Sequence, residues 1–147
     1  MEAVLDLFND VFSFRGPPPE TWKQTKLTVI FKKSDPSLPG NYLPIAIMHI
    51  LYKLFSRMLC NRLLQHVMPH QSVDQAAYRK GFSTVDHLFA ITLLIEKCRE
   101  HNSPIWVALV DFEKAFDTVE HEALWELLQQ QGLPCHYVSL LQTLYDG

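Results

Sequence analysis

The feature that most constrains this chain is an uninterrupted apolar segment that ends in a carboxylate. Residues 104–110, PIWVALV, carry no charged side chain, and Asp111 follows directly. A short run that is apolar at every position, rather than at alternate ones, predicts a β-strand covered on both faces. We therefore expect a buried strand that delivers Asp111 at its end, where a carboxylate is costly to bury unless a cation or donor satisfies it.

The rest of the chain alternates between helical and extended patterns. Apolar residues recur at helical spacing in 2–14 and in 49–68. Ser83 and Asp86 resemble a capping box that begins a helix ending near Glu100, and Gly132 is the expected C-cap of a helix over 120–131, which another helix over 134–145 follows. Segments 25–33 and 42–48 are rich in residues that favour strands, and Pro44 disfavours helix before it. These patterns predict one α+β fold, with an α/β-like alternation and no linker that would separate two independent domains.

Charge is divided unevenly along the chain. Its formal net charge is −3. Residues 23–80 hold nine bases and two acids, a net +7, whereas residues 81–147 hold three bases and ten acids, a net −7. The basic part could face phosphate and the acidic part could hold metal. The alternative is ordinary variation among exposed helix faces.

Several classes of protein are disfavoured by the composition. The three cysteines are far apart and form no C-x-x-C pair, so neither a disulfide framework nor a cysteine zinc site is expected. No apolar run approaches the ~20 residues of a membrane-spanning helix. The N-terminus is acidic and amphipathic, unlike a secretory signal. We expect a cytoplasmic or nuclear protein that is not secreted and has no membrane partner.

Asp111 is the strongest candidate for chemistry. Phosphoryl and nucleotidyl transfer need rigidly held carboxylates that bind Mg²⁺ ions about 3.5–4 Å apart. Further acids follow at Glu113, Asp117, Glu120 and Glu122. These acids have an alternative explanation, because carboxylates are favoured in the first turn of a helix for electrostatic reasons.

The segment 111–117, DFEKAFD, resembles the first catalytic palm motif of reverse transcriptases from LINE-type (non-LTR) retrotransposons, and of related group II intron enzymes. Four other regions resemble elements of the same family, in the same order: PETW at 19–22, VIFKKSDP at 29–36, NYLPI at 41–45 followed by YKLF and NRL, and QAAYRKGFST at 75–84. The resemblance spans essentially the whole chain, and an RTE-like element is the subtype we expect.

The resemblance implies RNA-directed DNA synthesis by a two-metal mechanism, with an RNA template, a DNA primer, deoxynucleotides and Mg²⁺. It implies a partial right-hand polymerase fold that is helix-rich, with fingers and an incomplete palm. Residues 1–100 would be fingers-like with connecting helices, and residues 101–147 would begin the palm.

The resemblance also implies roles for individual residues. Asp111 would be the catalytic metal ligand, with the backbone carbonyl of Phe112 as a minor ligand. The nucleotide would be bound by Lys32, Lys114, Ala115 and Phe116, and Arg79 and Lys80 would lie near nucleic-acid phosphates. Phe116 matches an aromatic that excludes a 2′-hydroxyl. Its alternative is a buried core aromatic, and Lys32, Arg79 and Lys80 could equally be solvated loop charges.

The sequence departs from the family in three places. The arginine of the N-Y-R-P-I element is Leu43 here, which has neither charge nor donor for a nucleotide phosphate. A glycine-phenylalanine pair is Ala77-Tyr78, and alanine is strained wherever a positive φ is required. The adjacent aspartates of the second catalytic motif are absent, since the chain contains no Asp-Asp pair.

These departures predict a truncated or decayed product, or a fragment of a longer protein. Such a chain would have only part of the metal site and no polymerase activity of its own. Its partners could include the missing remainder of the polymerase. Three alternatives stay open: a non-catalytic module that binds RNA or protein, a poorly folding chain of pseudogene origin, and an unrelated metal-dependent hydrolase built on Asp111 and the acidic tail.

Overall fold

A computed structural model describes residues 2–146, which form six α-helices and two β-strands. In chain order these are α1 (Glu2–Phe12), α2 (Glu20–Lys23), β1 (Lys26–Phe31), β2 (Tyr42–Ile47), α3 (Ile50–Val67), α4 (Thr84–Glu100), α5 (His121–Gln130) and α6 (Cys135–Tyr145). The expected mixed, helix-rich architecture is confirmed at this level. The division into fingers and palm at residue 100 stays a prediction.

The chain separates into two compact units. The first combines the N-terminal segment up to Met68 with the C-terminal segment from Trp125, and the second is Pro69–Leu124. We call them the core unit and the loop unit. All but one of the buried apolar side chains belong to the core unit, and Ala76 is the single buried residue described in the loop unit.

Aromatic packing holds the core unit together. The ring centroids of Trp22 and Phe55 lie 5.1 Å apart, and Phe8 meets both rings edge to face at 6.1 and 5.3 Å. Val11, Leu59 and Leu140 complete the same buried cluster. Aromatic pairs in this geometry add stabilisation beyond the apolar area that they bury. The helical pattern of residues 2–14 and of 49–68 therefore predicted the correct buried faces at Val11 and Phe55.

Strands β1 and β2 form an antiparallel hairpin whose register runs from Lys26 opposite Ile47 to Phe31 opposite Tyr42. The connecting loop is held by its own polar groups. The backbone N–H and the hydroxyl of Ser37 both donate to the Asp35 carboxylate at 2.8 Å. These two hydrogen bonds favour the charged form and hold the pKa of Asp35 below its ordinary value.

Helix boundaries follow the local chemistry that the sequence predicts. Ser83 and Asp86 form a reciprocal capping box at the start of α4. After α5 the chain turns at Gly132, whose φ is +80°, and the Leu133 N–H donates to the Leu128 carbonyl at 3.0 Å. A glycine is favoured in this left-handed conformation because it has no Cβ. Both predicted boundaries are confirmed.

The predicted buried strand at 104–110 is wrong. These residues belong to no strand, and Trp106, Leu109 and Val110 are 94%, 92% and 77% exposed. An apolar run becomes a covered strand only when neighbouring strands complete its hydrogen bonds and other side chains cover its faces. In the described part of the chain β1 and β2 pair only with each other, so the segment has no strand partner.

Within residues 2–146, no helix is both long and apolar enough to cross a membrane. The described cysteines Cys60, Cys98 and Cys135 are all free thiols.

A matched pair of leucines on α3 tests the core unit. Leu59 is 3% exposed and Leu54 is 53% exposed. We expect Leu59→Ala to lower the free energy of unfolding by about 2–5 kcal/mol, because a cavity replaces packed atoms. Leu54→Ala should change it by less than about 0.5 kcal/mol. Urea denaturation followed by tryptophan fluorescence measures both, and equal losses would contradict the assigned core.

Candidate nucleotide and nucleic-acid site

The motif at 111–117 lies in an irregular, exposed segment of the loop unit. Its only regular feature is a turn in which the Lys114 carbonyl accepts hydrogen bonds from the Asp117 and Thr118 N–H groups at 2.9 and 3.1 Å. The Thr118 hydroxyl donates to the same carbonyl at 3.2 Å. Lys114 has a φ of 50°, which a non-glycine residue adopts at a cost. The turn therefore fixes the local shape of the second half of the motif.

Asp111 does not occupy the position that the sequence predicted for it. The residue is exposed and follows an unpaired segment rather than the end of a buried strand. No group of three or more His, Cys, Asp or Glu side chains among residues 2–146 is arranged to hold a metal ion. The donor set around Asp111 thus does not fit the two Mg²⁺ ions that the family resemblance implies.

Phe116 is 77% exposed, so the alternative of a buried core aromatic is wrong. Its ring meets that of Tyr78 edge to face, with centroids 5.9 Å apart and an interplanar angle of 79°. Phe112 is 75% exposed as well. The predicted nucleotide-facing roles of Lys114 and Ala115, and the ligand role of the Phe112 carbonyl, stay predictions.

The loop that precedes α4 is organised by Arg79. Its guanidinium donates to the Ser72 carbonyl and stacks 3.9 Å from the centroid of the Phe82 ring. A cation over an aromatic face is attracted by the ring quadrupole. Arg79 therefore ties the loop to itself, a role that its sequence position did not predict. Lys80 is exposed. The nucleic-acid contacts of Arg79 and Lys80 stay predictions.

Backbone strain in this loop falls one residue later than expected. The sequence predicts strain at Ala77 if that position needs a positive φ, because the family has glycine there. Among described non-glycine residues with positive φ, the loop contributes Tyr78, at 59°, and not Ala77. The side chain of Tyr78 is 89% exposed. A bulky residue in the left-handed region costs about 1 kcal/mol or more. Because the side chain of Tyr78 is almost fully exposed, its packing does not offset this conformational cost.

Lys32 and Leu43 belong to the core unit, Lys32 directly after the first strand of the hairpin and Leu43 within the second. Lys32 follows β1, and its backbone N–H donates to the Asn41 carbonyl at 2.9 Å while its ammonium is exposed. Leu43 lies in β2 opposite Ile30 and is 43% exposed. The hairpin therefore presents both positions at a surface, and their nucleotide roles stay predictions.

Comparison with known proteins identifies the family. The family described as "Reverse transcriptase (RNA-dependent DNA polymerase)" matches residues 30–145. The chain is 32% identical over 130 residues to a retrovirus-related Pol polyprotein from the type-1 retrotransposable element R2 of Popillia japonica, covering 86% of this chain and 17% of that protein.

Two further relatives agree. A Pol polyprotein of the same R2 type from Nasonia vitripennis is 24% identical over 98% of this chain, which covers 14% of the relative. A probable RNA-directed DNA polymerase from transposon BS of Drosophila melanogaster is 28% identical over 87% of this chain, again 14% of the relative. No solved structure matches.

The chain belongs to the reverse transcriptase family, and its relatives are products of non-LTR retrotransposons. The alignments span only about a seventh to a sixth of the length of these relatives. The RTE-like subtype stays a prediction.

Titration with Mn²⁺ tests whether the residues around Asp111 form a binding site for a divalent cation. We expect no saturable binding below the millimolar range, because a lone exposed carboxylate binds divalent cations weakly. Asp111→Asn should therefore match the unsubstituted chain in electron paramagnetic resonance of free Mn²⁺. A saturable site that disappears in Asp111→Asn would show that the acidic residues assemble around the ion after all.

Proposed function

We propose that these residues form the fingers and the first palm motif of an RNA-directed DNA polymerase of a non-LTR retrotransposon, and that they contact the RNA template, the DNA primer and the deoxynucleotide. The observation that carries the proposal is the family match over residues 30–145, which includes the DFEKAFD motif at 111–117. The fold boundaries of fingers and palm form part of this proposal.

The proposed residue roles follow the family motif. Asp111 is the catalytic carboxylate and Phe116 the steric gate that faces the sugar of the nucleotide. The exposure of Phe116 supports this role, because an aromatic buried in a core would be inaccessible to a ligand. Lys32 and Lys114 offer positive charge to the triphosphate, and Lys80 offers it to the nucleic-acid backbone.

Polymerisation requires more carboxylates than these residues supply. The 147 residues contain no adjacent aspartates, and their described part holds no metal-binding cluster. We therefore propose that the isolated 147 residues bind nucleic acid without catalysing nucleotide transfer, and that activity depends on carboxylates from outside this segment. We expect residence in the cytoplasm or the nucleus, where such an enzyme would meet RNA.

Nucleic-acid binding is supported by the exposure of the basic block. Eight of the nine bases in residues 23–80 are exposed, and Arg79 is half-buried. Exposed cations release counterions from a polyphosphate chain, and this release drives binding independently of sequence. The same property would serve a non-catalytic RNA-binding module, which is the alternative function. That alternative differs in needing no contribution from Asp111 or Phe116.

Salt dependence tests the RNA contact. We expect the chain to bind single-stranded RNA with an affinity that falls steeply as salt rises. Replacing Lys32, Lys33 and Lys80, three exposed lysines of the basic block, with glutamine should weaken binding and make the slope of log K against log salt shallower by about 2. Fluorescence anisotropy at four salt concentrations gives this slope.

The matched control replaces Arg15, Lys97 and Arg99, which lie outside the basic block, with glutamine and removes the same charge. Its slope should stay close to that of the unsubstituted chain. Equal effects of the two triple variants would contradict a localised contact, and the absence of any RNA binding at low salt would remove the proposal.

Restoring the family arginine tests the nucleotide role of the hairpin. Because an arginine adds charge-assisted hydrogen bonds to phosphate, we expect Leu43→Arg to tighten binding of a fluorescent deoxynucleoside triphosphate about tenfold. Leu27→Arg places the same charge on β1, at a residue that is 68% exposed, and serves as the control. If Leu43→Arg and Leu27→Arg raise the nucleotide affinity equally, the added positive charge explains the gain and the position of Leu43 does not.

A further inference from the structure

Two aromatic side chains that are far apart in sequence meet at an exposed corner of the loop unit. Tyr78 belongs to the loop before α4 and Phe116 to the motif segment, yet their ring centroids lie 5.9 Å apart. They are 89% and 77% exposed. The contact between the two rings buries little of their apolar surface. The hydrophobic effect therefore does not explain why both side chains stand at the surface.

The corner has a shape that suits a planar, aromatic ligand. The two rings stand at 79° to each other. A flat group that stacks on the face of one ring therefore lies nearly perpendicular to the other ring, the orientation in which an aromatic edge can meet an aromatic face. Stacking on exposed aromatics is the main sequence-tolerant contact that proteins make with bases of single-stranded nucleic acid.

The backbone around the corner is held in place before any ligand arrives. Tyr78 has a φ of 59°, a conformation that its own side chain does not stabilise by packing. The neighbouring Arg79 anchors the loop through the Ser72 carbonyl and the Phe82 ring. On the other side, the hydrogen bonds to the Lys114 carbonyl fix the turn that carries Phe116.

Positive charge on the Tyr78 side of the corner suits a phosphate, whereas the Phe116 segment carries Lys114 together with the exposed acids Asp111, Glu113 and Asp117. Lys80 is exposed two residues after Tyr78, and Lys114 is exposed two residues before Phe116. Each could neutralise a phosphate next to a stacked base. Paired exposed rings with an exposed lysine in sequence next to each match the combination of stacking platform and positive charge that binds single strands.

We propose that Tyr78 and Phe116 together form a stacking platform for one base of a single-stranded nucleic acid. The proposal rests on the proposed function, and it deepens that function by assigning Tyr78 to the binding surface and giving Phe116 a second contact, with a base. Tyr78 acts by contact with the base, so a ring at this position is sufficient and the phenolic hydroxyl is dispensable.

The test compares two labelled twelve-residue strands with the same number of phosphates, oligo(dT) and a fully abasic strand, in fluorescence anisotropy on the 147-residue chain. The unsubstituted chain should bind oligo(dT) at least about fivefold more tightly than the abasic strand. Tyr78→Ala and Phe116→Ala should each remove most of this difference and leave abasic binding unchanged. Tyr78→Phe should retain the difference.

Phe89→Ala is the matched control, because Phe89 is also a 64% exposed aromatic of the loop unit but stands on α4. It should bind both strands as the unsubstituted chain does, and circular dichroism should show the same helix content in every variant. If Tyr78→Ala and Phe116→Ala bind oligo(dT) normally, the platform is overturned while the electrostatic contact stands. If neither strand is bound at low salt, the proposed function fails with it.

Discussion

The contact between Trp22 and Phe55 is the interaction on which the ordered part of this protein depends. It joins a short helix near the N-terminus to the long helix α3, and Phe8 of α1 packs against both rings. Because Val11 and Leu140 belong to the same buried cluster, this contact also secures the helices at the two ends of the chain. The hairpin that carries Lys32 and Leu43 is attached to this framework through the chain on either side of it.

The loop unit has no comparable framework. Its apolar side chains are mostly exposed, both on α4, where Leu88 and Phe89 are 63% and 64% exposed, and in the 104–110 segment. Its order comes instead from polar groups acting over short sequence distances, such as the capping box at Ser83 and the Arg79 anchor. Local hydrogen bonds fix the shape of a turn, but they bury no surface and so contribute little to stability against unfolding.

Sequence reasoning succeeded where structure is decided locally and failed where it depends on distant partners. The helix limits near Ser83 and Gly132 could be predicted from cap and turn chemistry, and the extended segments that become β1 and β2 from their residue types, although their pairing was not predicted. The 104–110 segment was wrongly predicted to be a strand, because the same apolar pattern stays irregular and mostly exposed when no neighbouring strand pairs with it. The placement of Asp111 depended on that strand and was wrong for the same reason.

In the candidate site, too, the sequence identified individual residues but not the contacts between distant ones. Family motifs identified Phe116, but its contact with Tyr78 joins residues 38 positions apart and has no pattern in the sequence. The contacts of Arg79 with the Ser72 carbonyl and the Phe82 ring could not be predicted either. A basic loop residue next to aromatic residues can have either a free or a bound guanidinium. Such pairings depend on the path of the backbone between the two residues, which neither propensity nor spacing determines.

Pro44 in the hairpin has a consequence for how this protein meets other copies of itself. It stands in the middle of β2 opposite Val29, and a proline has no N–H to donate. A two-stranded sheet leaves both outer edges open to recruitment of another strand, which is the usual beginning of aggregation. The missing donor interrupts the row of donors on β2 and so makes continuous strand-to-strand addition less favourable there.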